Sequence, residues 1–383
     1  MLSPFPVQED PKRLLVFMNP NSGSGTALKD FEAVKPYLNG YHIKAFIIHQ
    51  VGEIKQRISE NLQTGLKLHA VLFFMGDGPL HQEIEPLLGN EVPISIFPSG
   101  TGNGIVSSIL DNAGVSLLHE RKVQVLEMMK IFKEAHTSPF PLPERTIAES
   151  KKIFLLAWTA GVIAKCDAFG EQSWLLKRYP SVRKRLGSFR YDLGGVWELI
   201  KMQSHRARLT YRLASSQKEY LEEDDFLMTM LSNCKRIDKN VPVGSQGMSS
   251  KRLLLTYIKA DEVSRWVFAR ILLGLGDGTL VSHPNVHRVE VDYARYEPLD
   301  KGNKVMLDGE AEQAGQVVEF STTKNRIPVF TGDESVQRLV PQYKKNPLRY
   351  LMYMMMIFGI YKTWSKLNPR QRLVSLLKTL GRR

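Results

Sequence analysis

The first 110 residues alternate four times between a short apolar segment, a turn and a helical stretch, and this alternation constrains the fold more than any other feature. Short apolar runs of this kind are typical of buried parallel strands. Repeated strand-turn-helix units imply right-handed crossovers and a parallel sheet, with the turns on one edge. The predicted strands are Arg13–Met18, Ile43–His49, Ala70–Met75 and Val92–Phe97, and the predicted helices are Thr26–Leu38, Ile54–Thr64, a segment that begins near Pro79, and Ile105–Leu110.

The turn after the third predicted strand carries a carboxylate, Asp77, between Gly76 and Gly78. Ligands of open α/β sheets bind at the carboxyl ends of the strands, which is where this turn falls. The two glycines allow backbone conformations closed to other residues and a close approach of phosphate or substrate. Asp77 is therefore a candidate catalytic residue. The same residues also allow a simpler interpretation, in which Asp77 caps the following helix.

Two more glycine-rich turns follow the first and fourth predicted strands. A strand, a glycine-rich turn and a helix together present free backbone N–H groups and the positive end of a helix dipole to phosphate. The spacing matches neither a dinucleotide fingerprint nor a Walker A loop, and an ordinary turn is the alternative for each. The candidate nucleotide-binding residues are Asn19, Asn21, Ser22, Gly23, Ser24, Gly25, Gly76, Gly78, Ser99, Gly100, Thr101, Gly102 and Asn103.

The pattern changes after the proline-rich segment Ser138–Pro143, which we interpret as a linker. Strand-like segments then follow, mostly without long helices between them, which is typical of an antiparallel sandwich or barrel. The exception is the helical stretch Glu171–Met202, which is rich in Lys and Arg. We therefore expect an α/β domain over residues 1–143, a β domain over residues 144–335 and a tail over residues 336–383.

Much of the positive charge lies in this tail. The formal net charge is +13, and the segment from Leu339 to the end contains ten Lys or Arg but no Asp or Glu. Such a one-sided distribution favours an anionic membrane surface as partner over nucleic acid. The apolar run Tyr350–Tyr361 and the later leucines at helical spacing predict a helix in the bilayer interface. A helix packed on the protein itself is the alternative.

The two cysteines, Cys166 and Cys234, give neither a disulfide framework nor metal-ligand spacing, so a reducing compartment is expected. The amino-terminal residues lack the apolar segment of a secretion signal, and no run reaches the ~18 apolar residues of a spanning helix. These features predict a cytoplasmic protein that associates peripherally with membranes.

Three motifs resemble, in order and spacing, the nucleotide-site motifs of the diacylglycerol kinase and sphingosine kinase catalytic-domain family. They are Asn19-Pro-Asn-Ser-Gly-Ser-Gly25, Met75-Gly-Asp-Gly-Pro-Leu80 and Pro98-Ser-Gly-Thr-Gly-Asn103. The resemblance implies a doubly wound parallel α/β nucleotide-binding domain, followed by an antiparallel β-sandwich that binds lipid. It also implies that ATP and Mg²⁺ are used to phosphorylate a lipid hydroxyl.

The chain departs from the family pattern around the central turn. The family usually has Gly or Ser at the position of Met75, a small apolar residue or Thr at that of Pro79, and Glu at that of Gln82. Glu83 lies one position later and would face elsewhere on a helix.

Two segments of the second half, Ala157–Asp167 and Lys184–Gly194, resemble the sphingosine and ceramide kinase branch of the family. The resemblance implies that Asp167 recognises a sphingoid head group and that Lys184, Arg185 and Arg190 approach the nucleotide phosphates. A carboxylate accepts hydrogen bonds from an ammonium and a hydroxyl, and arginine neutralises phosphate bidentately. The alternative is that Asp167 caps a turn and the cations lie on a solvated helix face.

Two later turns also carry acidic residues. Gly276-Asp277-Gly278 repeats the sequence of the central turn in the all-β half, and we interpret it as a loop over the lipid entrance. Asp308, Gly309 and Glu310 match the family's late Asp-Gly-Glu, so the resemblance implies that they contribute to the nucleotide or Mg²⁺ environment. Asp77 and Glu310 are the candidate metal ligands. From the residues alone the later turn is only a hairpin.

These observations predict an ATP-dependent lipid kinase that phosphorylates the primary hydroxyl of a sphingoid base, with Asp77 as general base. A diacylglycerol or ceramide kinase would use the same chemistry. An alternative of a different class, which the substitutions at the central turn leave open, is a catalytically weak lipid-binding or scaffold protein. A NAD kinase would leave the basic, apolar tail unexplained.

Overall fold

The computed structural model describes residues 12–332, except residues 24, 79, 173–177, 179–188, 217, 245–246 and 301. Ser24, Lys184, Arg185 and the predicted tail, residues 336–383, lie outside the described residues.

Six strands form the first sheet, in the order β2-β1-β3-β4-β18-β5 when strands are numbered along the chain. Their bounds are β1 Lys12–Met18, β2 Tyr41–Ile47, β3 Leu68–Met75, β4 Ile94–Pro98, β5 Thr137–Pro141 and β18 Arg326–Phe330. The first four strands pair in parallel, as the alternation predicts. β3 and β4 are buried almost throughout, because helices cover both faces of a parallel sheet.

Each of these four strands leads into a helix, so strand ends and helix starts meet at one edge of the sheet. The helices of this domain are α1 Ala27–Val34, α2 Glu53–Gln63, α3 Leu80–Glu83, α4 Gly104–Asn112 and α5 Arg121–Glu134. Single turns of 3-10 helix follow at Lys35–Leu38 and Glu85–Leu87. The predicted α/β architecture is confirmed.

The predicted linker Ser138–Pro143 is wrong, because most of it forms β5. β5 pairs antiparallel with β18, and β18 pairs in parallel with β4. Proline is tolerated in β5 because this strand lies at the edge of the sheet. Residues 326–330, predicted to belong to the second domain, therefore complete the sheet of the first.

The second domain is a ten-stranded sheet in the order β16-β15-β8-β10-β13-β14-β17-β6-β7, with β9 pairing β10 and β14. Its strands are β6 Glu144–Ile147, β7 Ser150–Ile153, β8 Ala157–Gly161, β9 His205–Leu213, β10 Glu219–Ser232, β13 Leu253–Lys259, β14 His287–Pro298, β15 Val305–Leu307, β16 Glu310–Ala311 and β17 Val318–Ser321. The long strands β10 and β14 each pair with both β9 and β13, so the sheet folds back on itself. It encloses an aromatic core that includes Trp158, Phe226 and Phe320.

A separate two-stranded sheet, β11 Arg236–Asp238 and β12 Val241–Pro242, reaches back to the first domain. The backbone N–H of Lys239 donates to the Gly102 carbonyl at 3.0 Å. The guanidinium of the buried Arg236 donates from Nε to Oδ2 of Asp111 on α4 at 2.9 Å. The second domain therefore contacts the third glycine-rich turn directly.

The remaining helices, α6 Val162–Gln172, α7 Phe189–Lys201, α8 Arg265–Leu273 and α9 Thr279–Ser282, belong to the second domain. α7 lies within the predicted helical stretch Glu171–Met202, whereas α6 begins nine residues before that stretch and overlaps it only at residues 171–172. A Cβ at Gly194 would lie 3.1 Å from the Cα of Cys166, so glycine allows these two helices to pack closely. The turn at Gly276 is a 3-10 helix, Leu275–Asp277, that runs into α9. No helix of the described residues has the length and apolarity needed to cross a bilayer.

Candidate active site

The three glycine-rich turns meet at the carboxyl edge of the first sheet. A Cβ on Gly100 would lie 2.4 Å from the Cα of Gly76, and one on Gly23 would lie 2.7 Å from the carbonyl carbon of Gly100. Backbone therefore packs against backbone, which only glycine permits here. We call residues 19–23, 76–78 and 99–103 the turn cluster.

Side chains of the turn cluster bond mainly to the cluster itself. Ser22 Oγ accepts the Gly76 N–H at 2.8 Å, and Asn19 Oδ1 accepts the Asn21 N–H at 2.9 Å. Asn103, at a φ of 53°, bonds both the N–H and the carbonyl of Gly100, at 2.8 and 3.0 Å. Ser99 and Asn103, two of the candidate nucleotide-binding residues, use their side chains to hold the turns in place. The backbone N–H groups and helix starts are what the cluster offers to phosphate.

Asp30 on α1 is a buried carboxylate that sequence reasoning missed. Its Oδ2 accepts the Thr26 hydroxyl at 2.9 Å and the Ser99 hydroxyl at 3.0 Å. Arg121 approaches its Oδ1 at 3.5 Å. Asp30 thereby ties the first turn to the third. The only sequence signal is its position one helical turn after Thr26, which is too common to be informative.

Asp77 is buried within the turn cluster. Burial raises its pKa to about 7, and the nearby Asp308 and Asp238 act in the same direction, while the N–H groups of Gly104 and Ile105 oppose it. The carboxylate therefore faces the start of α4 rather than α3, which argues against the helix-cap alternative. Its Oδ1 has no hydrogen-bond partner in the described part of the chain. A carboxyl group whose pKa lies near neutrality is suited to general-base catalysis.

Asp308 is buried within the second domain instead of facing open space. Its buried carboxylate accepts the N–H groups of Leu155 at 2.7 Å, Leu156 at 2.8 Å and Ala157 at 3.0 Å. Burial raises its pKa, and His81 and these N–H groups oppose the rise. The resemblance assigned Asp308 to the nucleotide environment, but the contacts give it a positioning role. These contacts lie where residues 154–156 leave the sheet between β7 and β8.

Glu310 is the open carboxylate of the same hairpin, with its side chain 44% exposed. Gln82, which stands where the family has Glu, donates its amide to Glu310 Oε2. Gly309, at a φ of 83°, completes the turn between Asp308 and Glu310. Glu83 lies away from this site, as its register predicts, and its carboxylate accepts N–H groups of Gly52 and Lys55 at the start of α2.

His81 is a second residue that sequence reasoning left out. It is buried, with Nδ1 2.8 Å from the Gly78 carbonyl oxygen and 3.6 Å from Asp308 Oδ2, and Nε2 3.9 Å from Glu310 Oε2. Nδ1 carries a hydrogen, because the carbonyl can only accept. His81 thus connects the turn that holds Asp77 to the hairpin of Asp308 and Glu310. The sequence feature that could have identified His81 is its position four residues after Asp77.

The remaining candidates lie in the second domain. Asp167 is half-buried on α6, and Arg190 lies on α7, where only its backbone is described. Cys234 is buried, its Sγ donates to the Leu155 carbonyl at 3.2 Å, and burial raises the pKa of the thiol well above its usual value. A buried, protonated thiol is inert, so Cys234 is structural.

The carboxylates fit a magnesium ion held partly by nucleotide. The described residues contain no group of three or more His, Cys, Asp or Glu that would hold a metal alone. Mg²⁺ in kinase sites typically binds one or two carboxylates plus the phosphates of the substrate. The unpartnered Oδ1 of Asp77 and the exposed carboxylate of Glu310 match that requirement.

Comparisons with known proteins find similar lipid kinases. Residues 13–133 match the diacylglycerol kinase catalytic domain family. Sphingosine kinase 1 of Caenorhabditis elegans is 26% identical over 401 aligned positions, covering 83% of this chain and 81% of the relative. Human sphingosine kinase 1 is 23% identical, covering 78% and 86%. The crystal structure of a diacylglycerol kinase from Bacillus anthracis shares the fold, with a TM-score of 0.57 at 16% identity, covering 85% of this chain and 99% of that one.

A parallel nucleotide-type sheet, a large antiparallel sheet and a buried carboxylate among glycine turns define a two-domain lipid kinase. Residues 13–133 carry a diacylglycerol kinase catalytic domain, and the chain is similar over most of its length to relatives named sphingosine kinase.

Proposed function

We propose that this protein transfers the γ-phosphoryl group of ATP to the primary hydroxyl of a sphingoid base. The observation that carries the proposal is Asp77, a buried carboxyl group with a pKa of about 7 at the point where three glycine turns meet. The similarity to relatives named sphingosine kinase supports the choice of substrate.

Phosphoryl transfer requires positioning and charge stabilisation more than covalent chemistry from the protein. In our scheme, Asp77 accepts the hydroxyl proton as the lipid oxygen bonds to the γ-phosphorus. The bond from that phosphorus to the bridging oxygen breaks, and ADP leaves. Backbone N–H groups of the turn cluster and the start of α4 hold the phosphates. Bound Mg²⁺ would neutralise phosphate charge, with Asp77 and Glu310 as its protein ligands.

The second domain supplies the lipid site in this proposal. Asp167 on α6 orients the ammonium head group, and the apolar face beneath α6 and α8 holds the alkyl chain. Lys184, Arg185 and Arg190 offset phosphate charge. The tail, residues 336–383, contacts an anionic membrane and lets substrate enter without crossing water.

One observation favours a second candidate function. Gln82 occupies the family's glutamate position and bonds Glu310, so the site has one carboxylate fewer than the family pattern. A site weakened in this way fits a lipid-binding or scaffold protein with little turnover.

The test is a phosphorylation assay of the full chain with radiolabelled ATP and Mg²⁺ against sphingosine, ceramide, diacylglycerol and NAD. We expect product from sphingosine, and we expect Asp167→Ala to lose this turnover while its thermal unfolding is unchanged. Product only from ceramide or diacylglycerol would reassign the substrate. No product from any lipid would favour the second candidate function.

The membrane contact has its own test. Deletion of residues 345–383 should lower sedimentation with liposomes that contain anionic lipid. Unchanged sedimentation would remove the tail from the proposal.

A further inference from the structure

The central strands of the second domain have two buried faces of different composition. On β8, Trp158 and Ala160 point into the aromatic core. Side chains alternate along a strand, so Ala157 and Thr159 point to the opposite face. That face packs with residues of α6, α7 and α8, among them Val162, Leu199 and Phe268. We call it the helix-covered face.

Three hydroxyl groups lie together on the helix-covered face. In the sheet register, Met230 of β10 pairs with Thr159 on one side and Thr256 on the other. Ser232 lies two residues along from Met230 and therefore on the same face. We call Thr159, Ser232 and Thr256 the hydroxyl row.

The hydroxyl row is buried and unpartnered. Thr159 is 5% exposed, and Ser232 and Thr256 are 0% exposed. Throughout the part of the chain that the structure describes, none of the three hydroxyl oxygens finds a hydrogen-bond partner. Burying a hydroxyl in apolar surroundings without a partner is unfavourable, and native interiors rarely tolerate it. Three such groups lie close together on one face, so a polar group that entered between the sheet and the helices would find three hydroxyls with unused bonding capacity.

The row begins next to the candidate active site. Ser232 pairs with Ala157, whose N–H donates to Asp308 Oδ1 at 3.0 Å. Thr159 is two residues further along β8, which places it roughly 7 Å deeper into the domain. A lipid whose reacting hydroxyl lies at Asp77 would therefore present the part of its chain nearest the head group to this row.

We infer that the hydroxyl row recognises a hydroxyl group carried on the lipid chain near the head group. The preferred substrate is then a long-chain base with an additional hydroxyl, rather than a plain alkyl chain. This inference rests on the proposed function for the identity of the lipid head. The matched probes are 4-hydroxysphinganine and sphinganine, which differ in that one hydroxyl.

Thr229 provides a matched control. It is buried on β10, and its hydroxyl also lacks a partner among the described residues. It lies between Met228 and Met230 in sequence, so its side chain points to the aromatic core instead of the helix-covered face. Thr229→Val removes the same kind of group from the same sheet without touching the hydroxyl row.

The experiment compares kcat/KM for the two probes in the full chain. The wild type should prefer 4-hydroxysphinganine by about tenfold, the value of one good hydrogen bond. The variant Thr159→Val/Ser232→Ala/Thr256→Val should lose this preference, and Thr229→Val should keep it. The single variants replace the triple variant if thermal unfolding shows that the triple variant is not folded.

Displacement of a fluorescent lipid, measured without ATP, separates this inference from the proposed function. If no lipid is phosphorylated but the binding preference and its loss are seen, the proposed function fails and the hydroxyl row stands. Equal use and binding of both probes by the wild type would overturn the inference. An unchanged preference in the triple variant would also overturn it, because some other group would then recognise the additional hydroxyl of the lipid.

Discussion

The turn cluster and the hydroxyl row differ in the hydrogen bonding of their buried polar side chains. In the turn cluster, the side chains of Ser22, Ser99 and Asn103 all bond to protein atoms. In the hydroxyl row, none of the three hydroxyls finds a partner among the described residues. Apart from Asp77, whose Oδ1 has no partner among the described residues, the side chains of the first region are bonded before any ligand arrives, whereas the three hydroxyls of the second are not.

This difference separates the two recognition tasks of the site. In the proposed function the turn cluster binds phosphate, which is the same in every nucleotide, so fixed backbone N–H groups would suffice while the side chains hold the turns rigid. Lipids differ along their chains, so we assign their discrimination to the side-chain hydroxyls of the second domain. Four substitutions sharpen this contrast, and each has a result that would break it.

Asp308→Ala should have the largest effect on stability, because the carboxylate of Asp308 accepts hydrogen bonds from three buried backbone N–H groups. Loss of its carboxylate leaves the N–H groups of Leu155, Leu156 and Ala157 unpaired. We expect the free energy of unfolding to fall by about 4 kcal/mol in urea denaturation. Glu310→Ala, at an exposed position, should cost less than about 1 kcal/mol. Equal losses for the two variants would show that Asp308 does not position the hairpin.

His205 is another buried polar residue of the second domain without hydrogen bonds, because both of its ring nitrogens lack partners among the described residues. Burial lowers its pKa from 6.5 to about 3. The unfolded chain therefore binds a proton that the folded chain does not as pH falls through this window, and stability falls with it. We expect a loss of about 3 kcal/mol between pH 7 and pH 4 from this group.

His205→Phe should remove that part of the pH dependence, since Phe226 and Tyr296 already surround the ring. The measurement is urea denaturation of both proteins between pH 4 and pH 7. Parallel stability curves for the wild type and the variant would refute the assignment.

Gly100→Ala tests the rigidity of the turn cluster. The new Cβ would lie 2.4 Å from the Cα of Gly76, and backbone cannot move aside cheaply. We expect a loss of about 2 kcal/mol in stability and weaker binding of a fluorescent ATP analogue. Gly102→Ala is the control, because its new Cβ would meet only the carboxylate end of Asp238, at 3.3 Å. Unaltered nucleotide binding in Gly100→Ala would contradict close packing of the turns.

Thr256→Val should have the smallest effect on stability, and it should stabilise the protein rather than destabilise it. It removes an unpartnered hydroxyl, so the free protein should keep its stability or gain up to about 1 kcal/mol. Ser99→Ala, which breaks the bond to Asp30, should lose about 1 kcal/mol in the same thermal unfolding assay. A clear loss of stability in Thr256→Val would mean that its hydroxyl has a partner in the free protein.

The sequence predicts the first sheet well because its signals are local. Short apolar runs, glycine turns and helical stretches alternate, and parallel pairing then brings the turns to one edge. The return of Arg326–Phe330 to pair with β4 is a long-range event with no local signal. Prolines that indicate a linker are equally compatible with an edge strand such as β5.

The candidate site was predictable where glycine or the family resemblance marked it, as at Asp77. Asp30 and His81 were missed because their roles depend on partners distant in sequence, such as Ser99 and Asp308. The hydroxyl row could not be predicted, because it depends on which face each strand presents and on register between strands.

The most direct test of the account is the turnover of Asp77→Asn, with Asp277→Asn of the second Gly-Asp-Gly turn as control. If Asp77 accepts the proton of the lipid hydroxyl, its variant should keep nucleotide binding and lose roughly 10²–10⁴-fold in kcat, while Asp277→Asn should match the wild type. An Asp77→Asn variant that retains wild-type kcat would contradict the account.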